Sequence, residues 1–264
     1  MFDSKLVMQL RAQTGAGVLD AKKALEETNG DLAQAVDFLR KKGAVKAAAK
    51  AERVTKEGVI ALAKQGSKIA VAQLACETDF VARNSDFINT AEEFAQKLLT
   101  VSKEEFKTWA EEKIKNELAV KIGENIQLGQ FDVFTGEVLG SYLHSNKKVA
   151  AVVILSGGTQ ELANDLAMQA AAMSPKYVRP EDVPADEAAK EKEICREQLK
   201  GEGKPENILE KIVAGKLAKF YEEVCLFKQS YIKDEDLTIE KLIAREAAKT
   251  GQEIKVESFT RYSL

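Results

Sequence analysis

IAVAQLACETDFVARN, residues 69–84, joins an apolar run to a helical pattern through an abrupt change of direction. The run from Ile69 to Ala75 is typical of a buried strand, and the residues after Asn84 have the spacing of a helix. Between them, Asp79 and Phe80 place a carboxylate beside an aromatic ring where the chain turns. The sequence therefore predicts that this junction projects a rigid apolar side chain and a negative charge out of the core.

The strand pattern before the junction belongs to a hairpin that occurs twice. Residues 58–75 read as two strands around a polar turn, and residues 138–155 repeat that plan without a gap, with Lys68 aligned to Lys148. An apolar helical stripe follows each hairpin, formed by Phe87, Ala91, Phe94, Ala95 and Leu98 in the first copy and by Leu162, Leu166, Ala170 and Met173 in the second. We therefore expect two related α+β core subdomains.

The first core subdomain is expected to cover residues 54–137, and the second residues 138–180 with 229–264. The repeat aligns Gly158-Thr159-Gln160-Glu161 of the second copy with the Thr78–Val81 tip of the first. No aromatic residue stands in the second copy, so the exposed ring is expected in one subdomain only.

Residues 1–53 read as a small helical domain with a linker helix. Helical patterns run from Lys5 to Gln13 and from Val18 to Thr28, and Asn29-Gly30 is expected to end the second helix in left-handed geometry. Asp31 is expected to cap a third helix, which Gly43 ends. An exposed connecting helix, Ala44 to Glu52, is then expected.

This three-helix bundle resembles the ubiquitin-associated (UBA) fold. Val18 and Leu19 directly follow a Gly-Ala-Gly turn. Packing in the core of the bundle and partial exposure on a binding face fit these two side chains equally well.

Residues 181–228 interrupt the second core subdomain. Pro175, Pro180 and Pro184 mark an extended stretch before two charged helices, Glu187 to Glu202 and Pro205 to Phe227. The Gly-rich joint between the helices predicts an antiparallel coiled-coil hairpin. Its expected apolar seam consists of Ile194, Leu199, Ile208, Ile212, Leu217 and Val224. Self-association of two chains through this hairpin is a secondary interpretation. A last helix, Leu237 to Lys249, and a last strand, Ile254 to Tyr262, are expected to return to the core.

Composition excludes several classes of protein. The 264 residues are 45% hydrophobic and 31% charged, with a formal net charge of −3, which is ordinary for a globular chain and argues against sequence-independent binding of nucleic acid. No apolar run is long enough to span a bilayer. The first residues carry no signal core or Arg-rich presequence, so we expect a cytoplasmic protein. The three cysteines, Cys76, Cys195 and Cys225, have no metal or disulfide spacing and are expected to be buried thiols.

The sequence offers little for enzyme chemistry. Its one histidine, His144, lies at the turn of the second hairpin without a second histidine to complete a relay or metal site. Ser156-Gly157-Gly158-Thr159 lacks the lysine and the spacing of nucleotide-binding loops, so it is expected to lead into a helix. We expect no catalytic residue, no metal site and no cofactor.

Two segments carry a resemblance to a known family. Residues 78–84, TDFVARN, together with residues 14–25, TGAGVLDAKKAL, resemble the translation elongation factor Ts family. Shorter similarities extend along nearly the whole chain at Gly123-Glu124-Asn125-Ile126, Ala167-Met168-Gln169, Gly215-Lys216-Leu217 and Glu223-Val224-Cys225-Leu226. The order and separation of the first two segments make the resemblance specific.

The resemblance implies a guanine-nucleotide exchange factor that binds elongation factor Tu, which holds the GDP and the magnesium ion itself. The tip formed by Thr78, Asp79, Phe80 and Val81 would enter the partner's GTPase domain near that magnesium, with Phe80 inserted between partner side chains. Val18 and Leu19 would contact the same GTPase domain, and Met168 and Gln169 would contact another domain of the partner. Family members often have a methionine pair in place of Val18-Leu19, and many carry histidine in place of Gln169.

Other interpretations of single residues and of the chain remain open. Phe80 could instead fill the strand–helix junction, Arg83 could pair with a nearby carboxylate, and Asn84 or Ser85 could cap the following helix. The whole chain could be a non-enzymatic adaptor that uses the UBA-like bundle and the coiled coil. An RNA-binding accessory factor is a third interpretation, which the acidic balance disfavours.

Overall fold

The structure, a computed structural model, describes residues 4–50, 52–199 and 205–264. Helices and sheets alternate along these residues, which confirms the expected α+β class. Two compact units divide the chain: one runs to Val133 and includes Ser263 and Leu264, and the other spans Phe134–Tyr262.

The first unit begins with a bundle of three helices, α1 (Ser4–Thr14), α2 (Val18–Glu27) and α3 (Leu32–Lys50). Asn29 and Gly30 have φ values of 52° and 86° and end α2 in left-handed geometry, as predicted. The Asp31 carboxylate accepts a hydrogen bond from the Gln34 backbone amide at 3.0 Å, so the predicted cap of α3 is confirmed. Buried leucines and alanines from all three helices form the core of this N-terminal bundle.

The prediction that Gly43 ends the third helix is wrong. Helix α3 continues through Gly43 to Lys50, and it contacts the short helical segment Ala119–Ile122. A single glycine costs a helix only about 1 kcal/mol relative to alanine, and packing against the core outweighs that cost. Of the expected separate connecting helix, residues 44–50 belong to α3, and Ala51 lies outside the described residues.

A sheet and four helices complete the first unit. The elements are β1 (Glu57–Gln65), β2 (Lys68–Cys76), α4 (Asp79–Ala82), α5 (Ser85–Leu98), α6 (Lys103–Lys113), a π-helical turn (Ile114–Leu118), α7 (Ala119–Ile122) and β3 (Gln127–Thr135). The predicted hairpin is confirmed: β1 and β2 pair antiparallel, and Gly66 (φ 57°) forms the tight turn. Strand β3, which the sequence analysis did not predict, completes the sheet in the order β1-β2-β3. The predicted stripe of α5, from Phe87 to Leu98, is buried against this sheet.

The second unit repeats the plan with β4 (Val138–Leu143), β5 (Val149–Ser156) and α8 (Gln160–Met173). Leu162, Leu166 and Ala170 are buried as predicted, but Met173 is 47% exposed. It is the last residue of α8 before Ser174 turns to positive φ, so it lies beyond the packed face. The two copies are also offset by one residue at the helix start, because Thr159 caps α8 as Thr78 caps α4.

Two further helices, α9 (Ala185–Leu199) and α10 (Glu206–Val224), form the predicted hairpin. Their pairing is antiparallel: the Lys216 ammonium contacts Gln198 near one end, and Ala188 shares a cluster with Phe220 near the other. The predicted seam is partly wrong, since Ile194 and Ile208 are about 40% exposed or more. The seam near the tip instead consists of Cys195, Leu199, Leu209, Ile212 and Val213.

The chain then forms β6 (Ser230–Tyr231), β7 (Asp234–Thr238), α11 (Ile239–Thr250) and β8 (Lys255–Ser263). The last helix begins two residues later than predicted, because Leu237 belongs to β7 and the Thr238 hydroxyl caps α11. Strand β8 joins the second sheet in the order β4-β5-β8, as expected for the last strand. The three cysteines are buried and unpaired with one another, which confirms that expectation.

Candidate functional site

The residues between β2 and α5, residues 77–84, form a short helical turn that we call the junction segment. Thr78 has extended backbone geometry, and its hydroxyl oxygen accepts a hydrogen bond from the Val81 amide at 3.5 Å, which starts α4. Asn84 then caps α5, since its side-chain oxygen accepts from the Asp86 amide at 2.8 Å. Two caps within seven residues make the chain turn twice, and the second confirms the capping role predicted for Asn84.

The carboxylate of Glu124 fixes the backbone of the junction segment. One of its oxygens accepts hydrogen bonds from the Glu77 and Thr78 amides, both at 3.0 Å. The other accepts from the Thr78 hydroxyl at 2.6 Å. Glu124 follows α7, which ends at Gly123 in left-handed geometry. The three bonds hold the start of α4 in one conformation.

Glu77 makes the reverse connection to the loop that carries Glu124. Its carboxylate accepts from the Asn125 amide at 2.6 Å and lies 3.4 Å from the Arg53 guanidinium. The Asn125 hydrogen bond, followed by that of Arg53, lowers the pKa of Glu77 below its usual 4.5. Beneath it, the Cys76 thiol donates to the Thr78 carbonyl at 3.3 Å, and burial raises the pKa of Cys76 to about 12.

Phe80 is the most exposed large apolar side chain at this end of the first unit. It is 83% exposed, so it does not fill the strand–helix junction. It borders a groove of about 370 Å³ whose apolar lining includes Val81, Phe87, Leu118 and Ile122. Exposing an aromatic ring to water forgoes about 1.5–3 kcal/mol that its burial would contribute. Such an exposed ring on a fixed backbone is a feature of protein-binding surfaces.

The charged residues of the junction segment pair with each other. The Arg83 guanidinium lies 3.1 Å from the Asp79 carboxylate one helical turn away, as predicted for Arg83. The guanidinium is four-fifths exposed, so the pair contributes little stability. Asp79 therefore stays accessible beside Phe80.

Val18 and Leu19 form a second exposed apolar surface in the first unit. They are the first two residues of α2, directly after Gly17, and are 51% and 82% exposed. The core of the bundle is formed instead by residues one and two turns further along α2, such as Ala21 and Leu25. The sequence analysis left core packing and exposure open, and the structure favours exposure.

Met168 and Gln169 lie on α8 in the second unit, where they have different environments. Met168 is half-buried, whereas Gln169 is completely buried. The Gln169 amide donates to the Ser230 carbonyl at 3.0 Å and to the Gln229 side chain at 3.2 Å. Its oxygen accepts from the Ile232 amide at 3.0 Å. Gln169 therefore anchors the β6–β7 hairpin from inside the fold.

The remaining residues considered for enzyme chemistry have structural roles. His144 is exposed at the β4–β5 turn, where its ring nitrogen accepts weakly from the Asn146 amide. Across residues 4–50, 52–199 and 205–264, no group of three or more His, Cys, Asp or Glu side chains is arranged to hold a metal ion. In the same residues, no helix combines the length and the apolarity that crossing a membrane requires.

An exposed aromatic ring on a fixed turn, and a second exposed apolar pair on a small bundle, are features typical of protein-binding surfaces. The family model described as elongation factor Ts matches residues 77–264. The chain is also 42% identical to elongation factor Ts of Symbiobacterium thermophilum over 276 aligned positions, which cover 98% of this chain and 90% of that relative. The chain belongs to the elongation factor Ts family, and it is accordingly a translation elongation factor of the nucleotide-exchange class.

Sequence reasoning identified the exposed residues of the site but not the residues that hold them. Phe80 was predicted to face outward, and it does. For Val18 and Leu19 the prediction was open between core packing and exposure, and both side chains are exposed. Glu124 was noted only as part of a family motif, and its contact with Thr78 spans 46 residues of chain. The sequence feature that could have identified Glu124 is its position directly after a helix that ends at a glycine. A glutamate at such a position can accept hydrogen bonds from a neighbouring turn.

Proposed function

We propose that the chain binds elongation factor Tu and promotes release of its GDP by disturbing the magnesium ion that the partner holds. The observation that carries this proposal is the 83% exposure of Phe80 on a backbone that Glu124 fixes through three hydrogen bonds. A fixed aromatic ring can displace partner side chains, whereas a mobile one would adapt to them. Binding energy is therefore available for distorting the partner.

The chemistry of nucleotide release supports this mechanism. Magnesium bridges the phosphates of a bound nucleotide and neutralises part of their charge. Displacing a group that orients the magnesium weakens nucleotide binding without any covalent step, so we infer that the chain needs no catalytic residue or cofactor of its own. Linkage makes the effect reciprocal, because a factor that weakens GDP binding is itself bound less tightly when GDP is present.

The four residues of the tip have different roles in this mechanism. Phe80 enters the GTPase domain of the partner, and Val81, half-buried beside it, extends the apolar contact along the groove. Asp79 presents its carboxylate at the edge of the magnesium site, where it accepts a hydrogen bond or repels a nearby acidic group. Thr78 acts through the backbone, since its side chain is bonded to Glu124.

Two other surfaces supply affinity. Val18 and Leu19 contact the same GTPase domain, and their combined exposed apolar area suits an anchor of that kind. In the second unit, Met168 contacts another domain of the partner. Because Gln169 is buried, we propose that it supports that contact by holding the β6–β7 hairpin.

We propose that the N-terminal bundle is UBA-like, that the hairpin of α9 and α10 is a coiled-coil arm, and that self-association through it is a secondary property. No contact with nucleic acid or membrane is needed for this function.

Release of a fluorescent GDP analogue from elongation factor Tu tests the proposal. We expect the unmutated protein to accelerate release and Phe80→Ala to reduce the acceleration strongly, because truncating a buried aromatic anchor typically costs at least about 2 kcal/mol. Ile208→Ala, which truncates another exposed apolar residue on α10, is the matched control and should behave as the unmutated protein. Absence of acceleration by the unmutated protein would exclude the exchange function. Full activity of Phe80→Ala would exclude only the role of the ring.

A further inference from the structure

Lys121, in the short helix α7, lies between the groove beside Phe80 and the turn that precedes Val18 and Leu19. It lines the groove beside Phe80 and also a second groove of about 490 Å³ that borders Gly15, three residues before Val18. The proposed function gives Lys121 no role. Its side chain therefore lies between the two grooves.

The aliphatic part of Lys121 covers Gly15. This glycine has φ 68°, and a Cβ built on it would lie 2.9 Å from Lys121 Cγ and 3.2 Å from Cδ. A side chain at position 15 would therefore strain the left-handed backbone and would also displace the lysine. The lysine therefore packs against the Gly15–Gly17 turn, from which α2 begins with Val18 and Leu19.

The charged end of Lys121 reaches the other surface. Its ammonium lies 3.1 Å from the Asp86 carboxylate in the first turn of α5, two residues after the junction segment. Both side chains are more than half exposed, so this ion pair contributes little by itself. A further hydrogen bond from the Lys50 ammonium to the Gly123 carbonyl ties α3 to the end of α7, so the bundle has a second attachment.

We propose that Lys121 is a positioning residue, which fixes the Val18–Leu19 surface relative to Phe80 so that both engage elongation factor Tu at once. This inference rests on the proposed function. Two surfaces held at the correct spacing bind a partner more tightly than two that must be ordered during binding, because the second contact then forms at a high effective concentration. Loss of Lys121 should weaken binding of the partner while Phe80, Val18 and Leu19 themselves are retained.

A distance measurement tests the alignment without the partner. Spin labels on Glu27→Cys in α2 and Asn89→Cys in α5 report the spacing, and the three native cysteines are buried. We expect Lys121→Ala to broaden the distance distribution and Lys121→Met, which retains an unbranched side chain, to leave it narrow. Gly15→Ala should shift or broaden it, whereas Gly66→Ala, which has the same left-handed strain with nothing within 4 Å, should not. An unchanged distribution in Lys121→Ala would overturn the inference.

A double-mutant cycle in the exchange assay tests the consequence. We expect Lys121→Ala to raise the concentration needed for half-maximal acceleration about fivefold, the lower end of typical couplings between sites, and to leave the maximal rate unchanged. In a Leu19→Ala background the same substitution should have a much smaller effect, since one of the two aligned surfaces is already lost. Additive effects would overturn the inference. If the unmutated protein failed to accelerate release, the proposed function would fail, and the distances would still report separately on alignment.

Discussion

Glu77 and Glu124 each use a carboxylate to hold the backbone beside the other. Glu124 accepts from the Glu77 amide at 3.0 Å, and Glu77 accepts from the Asn125 amide at 2.6 Å. Two neighbouring carboxylates repel each other unless donors compensate them, and here the donors are backbone amides, supplemented at Glu77 by Arg53. The end of β2 and the loop after α7 are consequently fixed together, directly behind Phe80.

Glu124→Gln should loosen the junction segment. An amide group cannot accept hydrogen bonds through its nitrogen, so at least one of the donors on Glu77 and Thr78 loses its acceptor, at a cost of about 1–3 kcal/mol. We expect a lower free energy of unfolding in urea and slower stimulated release of nucleotide. Glu112→Gln, on the exposed face of α6, removes the same charge and should change neither quantity. Equal behaviour of the two variants would contradict the role of Glu124.

Glu77 should make part of the stability dependent on pH. Its pKa is lowered in the folded protein, so the folded state favours the ionised form. The resulting stability is present above the pKa of the unfolded chain and is lost as the pH falls through the folded value. We expect the difference in unfolding free energy between the unmutated protein and Glu77→Gln to be largest near neutral pH and to shrink in acid. A difference that stays constant between about pH 7 and pH 3 would argue against this assignment.

Gly140→Ala should be severely destabilising. A Cβ on this β4 residue would lie 1.9 Å from the carbonyl oxygen of Ala163 and 2.1 Å from its carbon, both in the backbone of α8. Because neither atom can rotate away, the helix must shift from the sheet, at a cost of about 3 kcal/mol or more. Thermal and urea unfolding measure the loss.

Gly215→Ala, in the interior of α10, is the matched control for Gly140→Ala. Nothing lies within 4 Å of the position where its Cβ would be. The substitution should stabilise the protein by about 0.5–1 kcal/mol, because alanine loses less conformational entropy than glycine on entering a helix. A stability loss in Gly215→Ala comparable to that of Gly140→Ala would show that close packing of β4 on α8 is not the cause.

The buried thiols should be inert in the folded protein. Burial is the main cause that raises the pKa of Cys76 to about 12 and that of Cys225 to about 11, and it also raises the pKa of Cys195. The thiolate is the reactive form, so iodoacetamide at neutral pH should modify these cysteines only as fast as the protein opens. Modification should become rapid above the urea midpoint. Rapid labelling without denaturant would contradict the buried placement.

Local sequence patterns predicted which helices and strands form better than they predicted which side of each helix is buried. The hairpins, the caps at Asp31 and Asn84 and the stripe of α5 follow from neighbouring residues, so the sequence was sufficient for them. Ile194 and Cys195 are adjacent, and only the position of α10 decides which one faces the seam. Likewise, Gly43 is compatible with either a helix end or a continuous α3, and contacts made far along the chain decide between them.

The residues of the site also depend on contacts that local sequence patterns do not reveal. Phe80 was identified because a resemblance and an unusual position agreed. The hydrogen bonds that hold its turn, however, join Thr78 to Glu124 and Glu77 to Asn125, which are 46 and 48 residues apart in sequence. Gln169 illustrates the opposite case: its motif suggested a surface, and its burial depends on the β6–β7 hairpin, which no pattern around Gln169 reveals. Contacts between residues so far apart in sequence can be identified only from the folded structure.

Gln169→Leu should therefore act mainly on the stability of the fold and less on binding of the partner. The substitution leaves the Ser230 carbonyl and the Ile232 amide without their partner, at about 1–3 kcal/mol for each buried group. We expect faster hydrogen exchange at Ile232 and a lower urea midpoint. Met168→Ala, on the adjacent half-buried residue, should leave exchange at Ile232 unchanged and raise the concentration of protein needed to accelerate nucleotide release. If Gln169→Leu instead kept full stability while weakening the partner complex, the residue would contact elongation factor Tu directly, through a rearrangement of the hairpin that covers it.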